Sequence, residues 1–182
     1  MLMTAVNQPW SSQPLADPQP GSGQVRIRLH ATGVCGTDIY IGRGELPVPL
    51  PIVLGHEPLG NVDAVGPGVG SLRLGDRAGV SWFQGGCGRC AYCQMKRYKF
   101  CASPKTWISN GGGCAEYKIA EADGCMLVPD NIAWVSAAAL FCGSFSAMSL
   151  QDREATTWRT RRRQPVSRVV LPISSLREGY TG

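Results

Sequence analysis

CGRCAYCQMKRYKFC, residues 87–101, places Cys87, Cys90, Cys93 and Cys101 at the spacing C-x2-C-x2-C-x7-C. Four thiolates separated by turns this short can converge on one tetrahedral zinc, each at about 2.3 Å from the metal. Such a closed shell leaves no corner for water or substrate. The stretch therefore reads as a zinc lobe, about residues 85–103, that stabilises a fold and does no chemistry itself. Reduced surface thiols or an iron–sulfur site are the alternatives, and the pattern favours zinc.

The rest of the composition agrees with a metal-holding globular chain. Its 182 residues are 43% hydrophobic and 17% charged, enough for one domain with a real core and too little charge for wholesale disorder. No apolar run approaches the roughly 20 residues that span a bilayer, and the start, MLMTAVNQPWSSQP, lacks the basic segment and apolar core of a secretory signal. The expected location is the cytoplasm, where thiols stay reduced and a tight cysteine cluster points to metal before disulfides. The formal net charge of +5 is concentrated after Gln151, where seven arginines face three acidic residues. Neither a nucleic-acid nor a membrane partner is expected from that distribution.

Along the chain, 23 glycines and 13 prolines announce many turns. Residues 8–23 read as an extended lead-in. QVRIRLHA, residues 24–31, alternates Val25, Ile27 and Leu29 with polar partners, the period of a half-buried strand. Short strand-like runs follow in PIVLGHEPLGNVDAVG, LGDRAGVSWF, CAEYKIA and CMLVPD, each bounded by Gly, Pro or Asp. The pattern predicts a mainly β barrel or sandwich with few short helices. A helix is expected at residues 136–150, with Ser136 as its cap. After Leu150 the Arg-rich residues 151–182 read as a poorly ordered tail, with VSRVVLPI its one strand-like piece.

A second constellation lies upstream in GVCGTD, residues 33–38, and GHE, residues 55–57. Cys35 and His56 are good zinc donors set in glycine-flanked turns. Taken singly they are better read as a buried thiol and a satisfied histidine.

GVCGTD, GHEPLGNVDAVGPGV, LGDRAGV, the four-cysteine lobe, GGGCAEY and LVPDNI follow one another here in the order found in the zinc-containing medium-chain alcohol dehydrogenases. The resemblance covers about residues 14–150. It implies a GroES-like β-barrel over residues 1–150, with the cysteine lobe as the structural zinc loop. It also implies a catalytic zinc held by Cys35, His56 and Cys142, with Asp38 fixing the imidazole and Glu57 as an acidic neighbour. Thr37 matches the hydroxyl that contacts the substrate oxygen and starts a proton relay, and Trp82 resembles an aromatic wall of the substrate pocket. Gly36 stands where some members carry a histidine, so a relay through that residue is absent. His30, Cys114 and Cys125 receive no role.

The implied activity is oxidation of an alcohol, or reduction of an aldehyde or ketone, with hydride passing between substrate and NAD(P). Two zinc ions per chain and a homo-oligomer, or pairing with full-length subunits, are further implications. No G-x-G-x-x-G occurs in the 182 residues, so no cofactor-binding residues are assigned. The resemblance ends where the family's chain enters its Rossmann domain. A shifted frame, a retained intron or an early stop is the expectation for residues 151–182, tested by reading the encoding DNA in the other frames. Two other readings compete: a non-catalytic zinc-stabilised module, and a zinc-ribbon nucleic-acid binder, the latter disfavoured because the basic tail lies far along the chain from the lobe.

Overall fold

The computed structural model describes residues 1–144 and the backbone of a strand at Val169–Pro172. The frame is a sheet organised around one long strand. Strand β1 (Leu2–Met3) precedes β2 (Gln24–Val34), which leads into helix α1 (Gly36–Gly42); β3 (Ile52–Val53) and β4 (Glu57–Val65) follow. Then come β5 (Arg77–Val80), β6 (Phe83–Gly85), helix α2 (Ala91–Gln94), β7 (Lys105–Thr106), β8 (Tyr117–Glu121), β9 (Cys125–Leu127), helix α3 (Trp134–Ala138) and β10 (Val169–Pro172). The described strands pair antiparallel in the order β10-β2-β4-β5-β9, with β8 also on β2, beside the two-stranded pairs β1-β3 and β6-β7.

The alternation in QVRIRLHA is realised: Val25, Ile27 and Leu29 are buried and pack with Val62, Ala78, Val80 and Ala120 in the barrel interior. Burial of each such side chain contributes about 1.5–3 kcal/mol. The register with β4 shifts between Leu29 and Ala31, and beyond Ala31 the alternation stops. The extra residue at that bulge is His30. Ala31, Thr32 and Gly33 are then all enclosed, since β2 here runs beneath α3 and alongside the loop before β4.

The predicted all-β character holds, and the helices are few and short. LGDRAGVSWF divides into two strands, β5 and β6, with Ser81 and Trp82 at the break. The expected helix starts earlier than its alanines suggest: α3 begins at Trp134 with Ala133 as an uncapped cap residue. Ser136 is thus inside the helix, and a π-helical turn, Leu140–Ser144, follows. Residues 145–150 of the expected helix lie outside the described residues. So does the tail of residues 151–182, apart from β10: its four residues pair with Ala31–Val34 of β2.

A second core of Leu59, Ala137, Ala138 and Phe141 seats α3 on the sheet. A third, of Met3, Ile41, Ile52, Leu54 and Trp107, fills the corner between α1 and the β1-β3 pair. The three cores leave the end of β2, the start of β4 and the π-helical turn facing one another.

Candidate metal centres

The lobe grows from the turn after β6. Cys90 precedes α2, whose single turn carries Cys93 inward; the chain returns through a 3-10 turn, Tyr98–Phe100, to Cys101. The four sulfurs lie within 4.8 Å of one another. Cys90 Sγ is 3.5 Å and Cys87 Sγ 3.9 Å from Cys93 Sγ, against an edge of about 3.8 Å for a tetrahedron of zinc–sulfur bonds. The donor set and its dimensions fit zinc. The Arg89 and Cys90 backbone N–H groups hold the Cys87 thiol down to about 6, whereas burial pushes Cys93 up to about 12. A cation shared by the cluster removes that conflict, because it favours all four thiolates together.

The second centre is assembled from three separate elements. Cys35 follows β2 and caps α1, His56 stands at the entrance to β4, and Cys142 lies in the π-helical turn. His56 Nε2 is 3.2 Å from Cys35 Sγ and 3.3 Å from Cys142 Sγ. One nitrogen and one sulfur on a tetrahedral zinc stand about 3.6 Å apart, so these separations also fit. Glu57 completes a group whose donor atoms all lie within 4.8 Å of one another.

Asp38 ties the first two elements together. Its carboxylate accepts the Cys35 N–H at 3.0 Å and the Gly55 N–H at 2.9 Å. It also faces His56 Nδ1 at 3.3 Å, both side chains being fully buried. An acceptor at Nδ1 leaves Nε2 directed at the two sulfurs, the tautomer that metal ligation requires. Gly55 makes the approach possible, having φ +86° and room only for hydrogen: a Cβ there would meet Cys114 Sγ at 2.8 Å. Gly33 likewise leaves space for the Glu57 carboxylate, with which a Cβ would collide.

The electrostatics suit a cation. The Cys35 thiol is drawn down to about 4, first by a hydrogen bond from Cys142, then against burial by His56 and the Thr37 backbone N–H. Burial acts to lower His56, but hydrogen bonds with Asp38 and Cys35 outweigh it and bring the ring to about 10. The lowered Cys35 thiol and the raised His56 ring are the two halves of one thiolate–imidazolium pair backed by Asp38, and a metal cation would take the place of the ring proton.

The structure therefore brings Cys35, His56, Glu57 and Cys142 together, with Asp38 behind them, and keeps Cys87, Cys90, Cys93 and Cys101 as a separate group. Trp82 is half-buried and meets His56 edge-on at 5.6 Å between ring centroids. Thr37 is half-buried in the first turn of α1. Sequence reasoning missed Trp107, fully buried, whose ring stacks on His56 at 5.8 Å and meets Trp82 edge-on at 6.0 Å. Its only signal was a tryptophan in the short link between the lobe and GGGCAEY, which specifies no partner. Cys114 and Cys125 stand apart from both groups, and burial pushes each thiol up to about 12.

Residues 21–130 match the model of the alcohol dehydrogenase GroES-like domain. The chain belongs to this family. As a GroES-like domain it is 35% identical over 163 residues to an alcohol dehydrogenase of Geobacillus stearothermophilus, covering 86% of this chain and 48% of that one. A cobalt- and zinc-bound alcohol dehydrogenase of Pyrobaculum aerophilum has the same fold with a TM-score of 0.70 and 27% identity, over 85% of this chain and 49% of that one. An acetophenone reductase of Geotrichum candidum in complex with NAD matches with a TM-score of 0.59 and 31% identity, over 68% and 38% of the two chains. The GroES-like domain chain spans about half the length of the curated relatives it matches. Among its described residues no helix is long and apolar enough to cross a membrane.

Proposed function

We propose that residues 1–150 are the catalytic domain of a zinc-dependent alcohol dehydrogenase, with Cys35, His56 and Cys142 holding the reactive zinc and the four-cysteine lobe holding a second, structural one. The observation that carries this reading is the convergence of two sulfurs and an imidazole nitrogen from three distant parts of the chain, with Asp38 presetting the nitrogen. Zinc bound there supplies Lewis acidity to the oxygen of an alcohol or carbonyl.

The chain's own residues do the rest. Asp38 holds the His56 ring in one tautomer, so its Nε2 lone pair stays available. The Thr37 hydroxyl would take the proton of the substrate alcohol and pass it outward, and NAD(P), where bound, would accept the hydride from the carbon. Trp82 forms an apolar wall that excludes water from the reacting carbon. Glu57, buried beside the triad, adds negative charge that keeps the cation in place. The substrates are small alcohols and the corresponding aldehydes or ketones.

The test uses cobalt as a spectroscopic stand-in for zinc. The chain is expected to take up two metal ions, and the visible bands of the ion at the triad should shift on adding a simple alcohol or aldehyde. Bands that do not respond, in a protein holding both ions, would leave a metal-stabilised module without catalysis.

A further inference from the structure

Helix α3 delivers Cys142 yet has little to hold it. It is five residues long, its N-cap residue Ala133 makes no side-chain hydrogen bond, and its buried face consists of the methyl groups of Ala137 and Ala138. So short a helix is not stable by itself. Phe141 fixes its far end, packed so closely on β5 that a Cβ at Gly79 would lie 2.5 Å from the ring. Something must fix the near end.

We propose that Trp134, held by His30 and Arg77, is a positioning residue that sets Cys142 at the metal triad. This rests on the reading of Cys35, His56 and Cys142 as a zinc site. The indole stacks on the His30 ring with centroids 4.7 Å apart and planes at 19°. His30 occupies the bulge in β2 and keeps the exposed phase of Arg28, on the outer face where α3 begins. Its Nε2 lies 2.8 Å from Asn61 Oδ1 on β4, and Asn61 donates in turn to the Gly75 carbonyl at 2.9 Å. From β5, the Arg77 guanidinium lies over the same indole, 3.7 Å from its centroid. Arg77 also donates to the Ile132 carbonyl at 2.5 Å and stands 3.7 Å from Asp130. Two strands, β2 and β5, thus grip the first residue of α3 and the chain just before it, with Asn61 of β4 bracing His30.

The lever explains why this matters for a metal. Cys142 follows Trp134 by eight residues, through α3 and into the π-helical turn, about 10 Å along the axis. A tilt of about 5° at Trp134 then displaces the sulfur by about 1 Å, whereas ligand distances hold to about 0.2 Å. Releasing the indole weakens the triad and leaves the lobe, which shares no element with α3, unaffected.

Three variants of the full 182-residue chain test this: Trp134→Ala, Trp134→Phe and His30→Leu, with Cys142→Ala as reference. Zinc affinity of each site is measured by chelator competition, and the thiolate-to-cobalt absorption of the triad is followed separately. Trp134→Ala should lower affinity at the triad by about 10-fold, within the range seen when groups behind metal ligands are removed. It should shift the cobalt bands and leave the lobe's affinity unchanged. Trp134→Phe should recover most of the loss, and His30→Leu, a surface change that spares the fold, should lower triad affinity by about 3-fold. Native triad affinity and spectrum in both Trp134→Ala and His30→Leu, with Cys142→Ala losing one zinc, would overturn the positioning role. Two zinc ions retained by Cys142→Ala would instead overturn the reading of the triad beneath it.

Discussion

Cys93 and His56 are both buried metal donors, yet removing them should have opposite consequences. Cys93 lies at the centre of the lobe, with sulfurs 3.5 and 3.9 Å away, and without it the lobe has lost a quarter of its shell. Binding energy at such a site is folding energy. Cys93→Ser should therefore lower the unfolding midpoint by about 10 °C or more, the equivalent of about 3–5 kcal/mol in a domain this size. His56→Gln keeps the volume between Trp82 and Trp107 and should cost one zinc per chain with a midpoint change of only about 2–4 °C. Elemental analysis alongside thermal unfolding distinguishes the two; equal unfolding by both variants would abolish the division into a holding site and a reacting site. Lys118 makes a third case. It is 1% exposed on the inner side of β8, donates to the Gly111 carbonyl, and burial pushes its pKa down to about 7. A base whose pKa is lowered on folding takes up protons more readily when unfolded, so stability rises as pH increases from about 7 towards the ordinary lysine value. Lys118→Met should flatten that dependence and raise stability at neutral pH by about 1–3 kcal/mol, the desolvation cost outweighing one lost hydrogen bond; urea unfolding across pH checks it. The four cysteines of the lobe were legible because donor type and spacing carry metal chemistry by themselves, whereas Cys35, His56 and Cys142 were joined only by the family resemblance. Trp107 and the role of His30 were not legible, since both depend on which ring meets which across the fold.

Strand β2 was readable from its alternation because one face meets the barrel interior along Val25, Ile27 and Leu29. Its upper half was not, because Ala31, Thr32 and Gly33 are buried in succession where the chain is enclosed by α3 and the loop before β4. Helix α3 was misplaced at its start for a related reason: Ser136 looks like a cap, whereas Trp134 is fastened by tertiary contacts that no local signal announces. The pairing of β10 with Ala31–Val34 likewise depends on a contact between distant parts of the chain. It covers the edge of β2 that β8, paired only with Gln24–Arg28, leaves open. Deleting residues 151–182 should speed hydrogen exchange at those backbone amides of Ala31–Val34 that face β10, by about 10-fold or more, with the amides of Val25 and Ile27 unchanged. Uniform exchange along β2 in the two chains would mean the pairing adds nothing to the sheet.

At the level of the molecule, donor geometry and hydride transfer are separable. The described residues carry two metal-donor groups, and the 182-residue sequence has no glycine fingerprint for a dinucleotide. The chain should bind zinc yet leave nicotinamide fluorescence unchanged and reduce no NAD(P) in the presence of an alcohol. Its relatives are about twice its length, which suggests a direct complementation. Residues 151–182 can be replaced by the portion of the Geobacillus stearothermophilus alcohol dehydrogenase that lies beyond the matched region. If the triad is competent, this chimera should show alcohol-dependent NAD(P) reduction within the ordinary enzyme range of about 1–1000 per second, and Cys142→Ala should abolish it. A folded chimera that holds two zinc ions, binds cofactor and transfers no hydride would assign the triad to structure alone.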